Sequence, residues 1–143
     1  MHFNWLHLTD FHQGLRDQDW LWPNMQEEFF RDLERLHAKA GPWDLILFTG
    51  DLSDRCNPQE FVRFEQEMAK LRGRLNQIAP GPEPLLLAVP GNHDLIRPAA
   101  KDPLVKLLNR WGEDPDVAEA FWNDGACGYR QVIDTAFAGY TSW

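Results

Sequence analysis

The sequence is poor in cysteine, in basic residues and in long apolar runs, and each shortage excludes a class of protein. Its 143 residues contain two cysteines, Cys56 and Cys127, too few and too far apart for a disulfide framework or a cysteine zinc site. No stretch reaches the roughly 20 apolar residues that span a bilayer. Lys and Arg number 14 against 22 Asp and Glu, and the net charge of −8 disfavours a broad nucleic-acid footprint.

The amino terminus also lacks a basic region followed by an apolar segment and a cleavage site, which is the pattern of a secretory leader. It enters a strand pattern directly, with the residues Met1-His2-Phe3-Asn4-Trp5. We therefore expect a cytoplasmic protein with free thiols. The length predicts one domain, residues 1–143, with enough chain to bury a core without disulfides.

What the sequence does contain is three apolar segments that each end in metal-compatible side chains. The first, residues 2–8, precedes Asp10-Phe11-His12, and the central one, residues 45–48, precedes Gly50-Asp51-Leu52-Ser53-Asp54. The third, residues 85–89, precedes Gly91-Asn92-His93-Asp94. In the second and third segments the apolar residues are continuous, which predicts strands that are buried on both faces.

Helical spacing of apolar residues fills the two intervals between these strands. The first helix is predicted to begin at an N-cap Asn24, with Glu27 completing a capping box, and to end at Gly41. The second helix is predicted to begin at Pro58. The spacing of its apolar residues predicts a buried stripe at Phe61, Phe64, Met68 and Leu71 and a solvated face that includes Glu60. A βαβαβ order predicts an α/β fold whose parallel strands bring the three motifs to one edge.

The chain beyond residue 98 has a different pattern. Short helices are predicted at 103–111 and 115–122, and a longer one from 129 to 143 with an aromatic stripe that is typical of a core face. We therefore divide the domain into a motif-bearing core, residues 1–98, and a helical segment, residues 99–143. One alternative for the whole chain is a non-catalytic interaction module that docks through the last helix.

In this order, the motifs Asp10-x-His12, Gly50-Asp51-Leu52-Ser53-Asp54 and Gly91-Asn92-His93-Asp94 resemble those of the calcineurin-like metallophosphoesterases. The resemblance covers about the first hundred residues and implies the first half of a layered αββα sandwich. It also implies a phosphodiesterase or phosphomonoesterase that uses a dinuclear metal centre and a metal-activated hydroxide. A DNA exonuclease of the same superfamily is the alternative that the acidic charge disfavours.

The resemblance also implies a role for each motif residue. Asp10 and His12 would bind the first metal, Asp51 would bridge both metals, and Asn92 would bind the second. His93 would contact the phosphate or protonate the leaving oxygen, with Asp94 orienting its ring. Mixed oxygen and nitrogen ligands suit manganese, iron, zinc or nickel better than calcium. Asp54 is expected to form hydrogen bonds within its loop.

One departure from the family pattern bears on activity. The family has three further histidines in its second half, whereas no histidine follows His93 in this sequence. We interpret the chain as part of a longer protein that further C-terminal sequence completes. The isolated 143 residues are expected to bind metal weakly and to catalyse little. The expected partner is a phosphoester substrate, a nucleotide among the candidates, and no membrane.

Overall fold

The computed structural model describes residues 2–143, which form two compact units, one that ends at Asp94 and one over Leu95–Trp143. All three predicted metal-binding motifs fall in the first unit. The division of the domain into residues 1–98 and 99–143 stays a prediction. Among the described residues, no helix combines the length and the apolar character needed to cross a bilayer.

The first unit is built on a three-stranded parallel sheet. Its strands are β1 (Trp5–Leu8), β2 (Leu45–Thr49) and β3 (Leu85–Val89), and they lie side by side in that order. Leu6 pairs with Ile46, and Ile46 pairs with Leu86, so the strands end at nearly the same level. The predicted α/β architecture, a parallel sheet flanked by helices, is confirmed.

The helix between β1 and β2, α1 (Gln18–Ala40), begins earlier than the sequence pattern predicts. Asp17 occupies the N-cap position, so the predicted N-cap at Asn24 is wrong, and Pro23 lies inside the helix. The side chain of Gln18 explains the early start, because it accepts a hydrogen bond from Gly14 N at 3.0 Å and donates one to the carbonyl oxygen of Phe11. These contacts hold the first turn against the preceding loop.

The helix between β2 and β3, α2 (Pro58–Ile78), begins at the predicted residue. Asn57 caps it in a capping box with Glu60, and the predicted stripe is buried at Phe61, Phe64, Met68 and Leu71. The prediction of a solvated Glu60 is wrong. Its carboxylate is buried because it accepts hydrogen bonds from the backbone N–H groups of Arg55 and Asn57.

The two faces of the sheet differ in exposure. On one face Leu6, Ile46 and Phe48 are buried, and the Phe48 ring packs edge-on against Phe64 of α2 at 5.1 Å. On the other face Leu85 is 61% exposed and Leu87 is 47% exposed. The prediction that continuous apolar strands are buried on both faces is therefore wrong for β3. Alternation along the strand places every second apolar side chain on the uncovered face.

The second unit consists of four short helices, α3 (Pro103–Leu108), α4 (Pro115–Asn123), α5 (Gly128–Ala136) and α6 (Ala138–Ser142). α5 contacts the other three helices, and the Ile96 N–H donates to the carbonyl oxygen of Ala136 at 2.9 Å. The predicted single helix over 129–143 is wrong, because it is interrupted at Phe137, where the backbone leaves helical geometry (φ −93°, ψ 6°). Val117 and Ala136 are the buried apolar residues of this unit.

Candidate metal centre

The loops that follow β1 and β2 are joined by backbone hydrogen bonds. His12 N donates to Asp51 O at 2.8 Å, Gln13 N donates to Leu52 O at 2.9 Å, and Asp54 N donates to Gln13 O at 3.0 Å. The pairing of β1 with β2 therefore continues into the two motifs as a short parallel ladder. This ladder fixes the carboxylate of Asp51 relative to the side chain of His12.

The loop that follows β3 is joined to the loop after β2 through one buried carboxylate. Asp94 is fully buried, and its Oδ1 accepts hydrogen bonds from Ser53 N at 2.7 Å and from Ser53 Oγ at 2.9 Å. Its Oδ2 accepts from Leu52 N at 3.0 Å and from Gly91 N at 2.9 Å. Four donors from two loops thus meet on a single side chain, which holds the second and third motifs together.

Two glycines allow these loops to lie in direct contact. A Cβ atom on Gly91 would lie 2.2 Å from Asp51 Oδ1 and 2.5 Å from Asp51 N, which is closer than atoms can approach. A Cβ atom on Gly50, whose φ of 112° favours glycine, would lie 3.0 Å from the Cα atom of Gly91. The close approach lets His93 N donate to Asp51 Oδ1 at 2.9 Å.

The side chains of Asp10, His12 and Asp51 converge on one region at the strand ends. One ligand atom from each lies within 4.8 Å of the others. His12 Nε2 is 3.6 Å from Asp10 Oδ1 and 3.9 Å from Asp51 Oδ2, so one ring nitrogen faces both carboxylates. The structure brings Asp10, His12 and Asp51 together, and their role as metal ligands stays a prediction.

A divalent cation suits this arrangement. Two carboxylates repel each other when they approach without a cation between them, and an imidazole nitrogen beside them completes a mixed oxygen and nitrogen ligand set. His12 Nδ1 is buried and has no hydrogen-bond partner, and Asp54 Oδ1 lies 3.9 Å from it, beyond hydrogen-bond distance. Metal-binding histidines commonly donate their second N–H to such a carboxylate. The donor set therefore fits a metal ion on the Nε2 side of His12.

A second group combines His12, Asp54 and His93, again with ligand atoms within 4.8 Å of one another. His93 Nδ1 lies 2.8 Å from the carbonyl oxygen of Asp54, and the two histidine rings meet edge-on with centroids 4.6 Å apart. A carbonyl oxygen only accepts hydrogen bonds, so His93 Nδ1 carries a proton. A protonated nitrogen cannot ligate a metal, and this group is better suited to orienting the His93 ring.

The orienting group for His93 is therefore not the one expected from the sequence. The Asp54 carbonyl oxygen occupies that position, while the Asp94 carboxylate accepts its hydrogen bonds from Leu52, Ser53 and Gly91. The chemical roles of His93 and Asp94 in a reaction stay predictions.

Asn92 lies exposed on the loop between Gly91 and His93, and its role as a metal ligand also stays a prediction. Sequence reasoning missed the position of Asp54 between the two histidines. The available signal was the spacing of Asp51 and Asp54, which are separated by two residues. A turn over those two residues places both carboxylates on the same loop.

The comparisons with known proteins agree with this geometry. Residues 3–135 match the family model for calcineurin-like phosphoesterases, which covers most of the chain and all three motifs. The search of curated proteins found no match.

Proposed function

Because the chain belongs to the calcineurin-like phosphoesterase family, we propose that it hydrolyses phosphoester bonds, weakly as these 143 residues alone, with two divalent metal ions at the joined strand ends. The observation that carries this proposal is the convergence of Asp10, His12 and Asp51, whose ligand atoms lie within 4.8 Å of one another. These residues hold the first metal in our proposal, and Asp51 and Asn92 hold the second. Manganese, iron, zinc and nickel all suit these ligands.

When bound, such metal ions activate the attacking water and neutralise charge on the phosphoryl oxygens. The chain itself supplies fixed ligand positions. Asp51 Oδ1 accepts a hydrogen bond from His93 N, which leaves Oδ2 on the side of His12 Nε2. The buried Asp94 holds the loop that carries His93 in position. The ligands are thus oriented before metal binding, and little reorganisation is required.

His93 acts in this proposal as the general acid. Its Nδ1–H is engaged by the carbonyl oxygen of Asp54, so a second proton on the protonated ring is held at Nε2. From that nitrogen the proton can be given to the oxygen of the leaving alcohol. Asp54 is a positioning residue that fixes the ring.

The partner in this proposal is a phosphoester substrate, with nucleotides among the candidates, in the cytoplasm. The net charge of −8 disfavours long nucleic acids, because their phosphates would be repelled over most of the surface. An exonuclease activity is therefore the weaker alternative.

The proposal is tested by titrating Mn²⁺ into the wild-type chain by calorimetry and by following manganese-dependent hydrolysis of bis(p-nitrophenyl) phosphate. The variant is Asp51→Asn, and the matched control is Asp19→Asn, at an exposed position on α1. We expect Asp51→Asn to weaken Mn²⁺ binding at least about tenfold and to lower hydrolysis, while the control matches the wild type. Equal metal binding and equal activity in all three proteins would refute the metal mechanism.

A further inference from the structure

Beside the metal ligands lies an apolar cavity of about 350 Å³, bounded by the loop after β1 and by helices α1 and α2. Asp10 and His12 are among the residues that line it. Its floor is formed by buried side chains of the core, namely Phe30, Phe48, Met68 and Leu71. The cavity is more than twice the roughly 150 Å³ that accommodates benzene. It is within the size range of small-molecule sites.

The aromatic walls of this cavity are held in place by one another. The Phe11 ring lies edge-on to Trp22 at 5.3 Å and to Phe64 at 5.5 Å, and Trp22 packs against Phe29 at 5.6 Å. Rings fixed by several neighbours lose little conformational freedom when a ligand binds. The cavity is therefore preformed.

The polar atom of the Trp22 indole is engaged by Glu67. Trp22 Nε1 donates to Glu67 Oε2 at 2.9 Å, and Gln26 Nε2 donates to the same oxygen at 2.8 Å. Burial acts to raise the pKa of Glu67, but hydrogen bonds from Lys70, Trp22 and Gln26 and the Lys70 charge together outweigh it, so the pKa is lowered. The carboxylate therefore stays ionised at neutral pH. Because its hydrogen bond occupies the indole N–H, the rest of the Trp22 ring presents an apolar surface to the cavity.

We infer that this cavity binds an apolar organic group of the phosphoester, an alkyl chain or an aromatic ring, while the phosphoryl group lies against Asp10 and His12. The inference rests on the proposed function and names its substrate class. An apolar cavity that adjoins the metal ligands lets one molecule occupy both. Burial of the organic group supplies binding free energy in proportion to its apolar area.

The test uses methyl-, butyl- and hexylphosphonate, which resist hydrolysis, and measures their binding by calorimetry with Mn²⁺ present. We expect the dissociation constant to fall about fourfold for each added methylene, or roughly sixtyfold from methyl to butyl. The variant is Leu21→Gln with Met25→Gln, two exposed residues on the rim of the cavity. The matched control is Leu36→Gln, exposed on the same helix but not lining the cavity.

In the double variant we expect less than about a twofold gain for each methylene, and in the control the full gain. Circular dichroism checks that each variant is folded, and the wild-type series decides the question if the double variant is not. Equal affinity for the three phosphonates in the wild type, or an equal loss of the gain in the control, would overturn the inference.

Hydrolysis of bis(p-nitrophenyl) phosphate separates this inference from the proposed function. Manganese-dependent hydrolysis without a chain-length effect refutes the cavity inference alone. A chain-length effect in a chain that shows neither Mn²⁺ binding nor hydrolysis refutes the proposed function and leaves the cavity as a site for apolar groups.

Discussion

The buried carboxylate of Asp94 offers the sharpest test of how the loops are held together. In Asp94→Asn, the amide oxygen can accept from Leu52 N and Gly91 N while the NH₂ group donates to Ser53 Oγ. Only the Ser53 N–H then loses its acceptor, at a cost of about 1–3 kcal/mol. In Asp94→Ala, three backbone N–H groups lose their acceptor, for about 3–9 kcal/mol. Domains commonly have only about 5–15 kcal/mol of stability.

Urea unfolding of the wild type, Asp94→Asn and Asp94→Ala measures these costs, with Asp19→Asn as an exposed control. Amide hydrogen exchange at Leu52 and Gly91 provides a second readout. We expect exchange at both amides to accelerate in Asp94→Ala and to stay near the wild-type rate in Asp94→Asn. The reasoning fails if the free energies of unfolding of the alanine and asparagine variants differ by less than about 0.5 kcal/mol and amide exchange at Leu52 and Gly91 is unchanged. The donors that lost Asp94 would then have found other acceptors.

Two further predictions concern a close contact and a carboxylate. Gly91→Ala should destabilise the chain by about 1–3 kcal/mol and weaken Mn²⁺ binding, because the new Cβ would lie 2.2 Å from Asp51 Oδ1. In the same urea assay, Gly73→Ala should stabilise α2 by up to about 1 kcal/mol, because a Cβ at that position would have no atom within 4 Å. Folding lowers the pKa of Glu67, so the ionised carboxylate stabilises the folded chain. This stabilisation is fully present above the pKa of the unfolded chain, about 4.3, and is lost as the pH falls through the lower pKa of the folded chain. The stability difference between wild type and Glu67→Gln should therefore shrink between pH 6 and pH 3, and a constant difference would contradict it.

Much of the first unit could be predicted because its local signals agree with its tertiary contacts. The apolar segments before Asp10, Asp51 and Gly91 are strands, and their parallel order follows from the helices between them. Asn57 and Pro58 begin α2 where capping chemistry predicts. Bringing Asp10 next to Asp51 then requires only that neighbouring parallel strands end at one edge of the sheet.

The features that the sequence did not predict depend on contacts between distant residues. α1 begins before Pro23 because Gln18 binds the loop after β1, and no local pattern contains that contact. Glu60 has the spacing of an exposed residue, but it is needed to cap the turn before α2. The helix break at Phe137 likewise has no local signal, because residue 137 is neither a proline nor a glycine. The family resemblance implies that Asp94 orients His93, whereas in the fold its carboxylate accepts hydrogen bonds from Leu52, Ser53 and Gly91.

The backbone at the site is strained at the three candidate metal ligands. Asp10, His12 and Asp51 have φ values of 55°, 50° and 53°, in the left-handed region that non-glycine residues rarely adopt, at about 1–3 kcal/mol each. The ladder from His12 N and Gln13 N to the loop after β2, together with Asp94, opposes this strain. Substituting glycine at Asp10 would relieve the strain but remove a candidate ligand. The strain thus falls at the candidate ligands, and a scaffold of backbone hydrogen bonds allows two carboxylates and one imidazole to face one point.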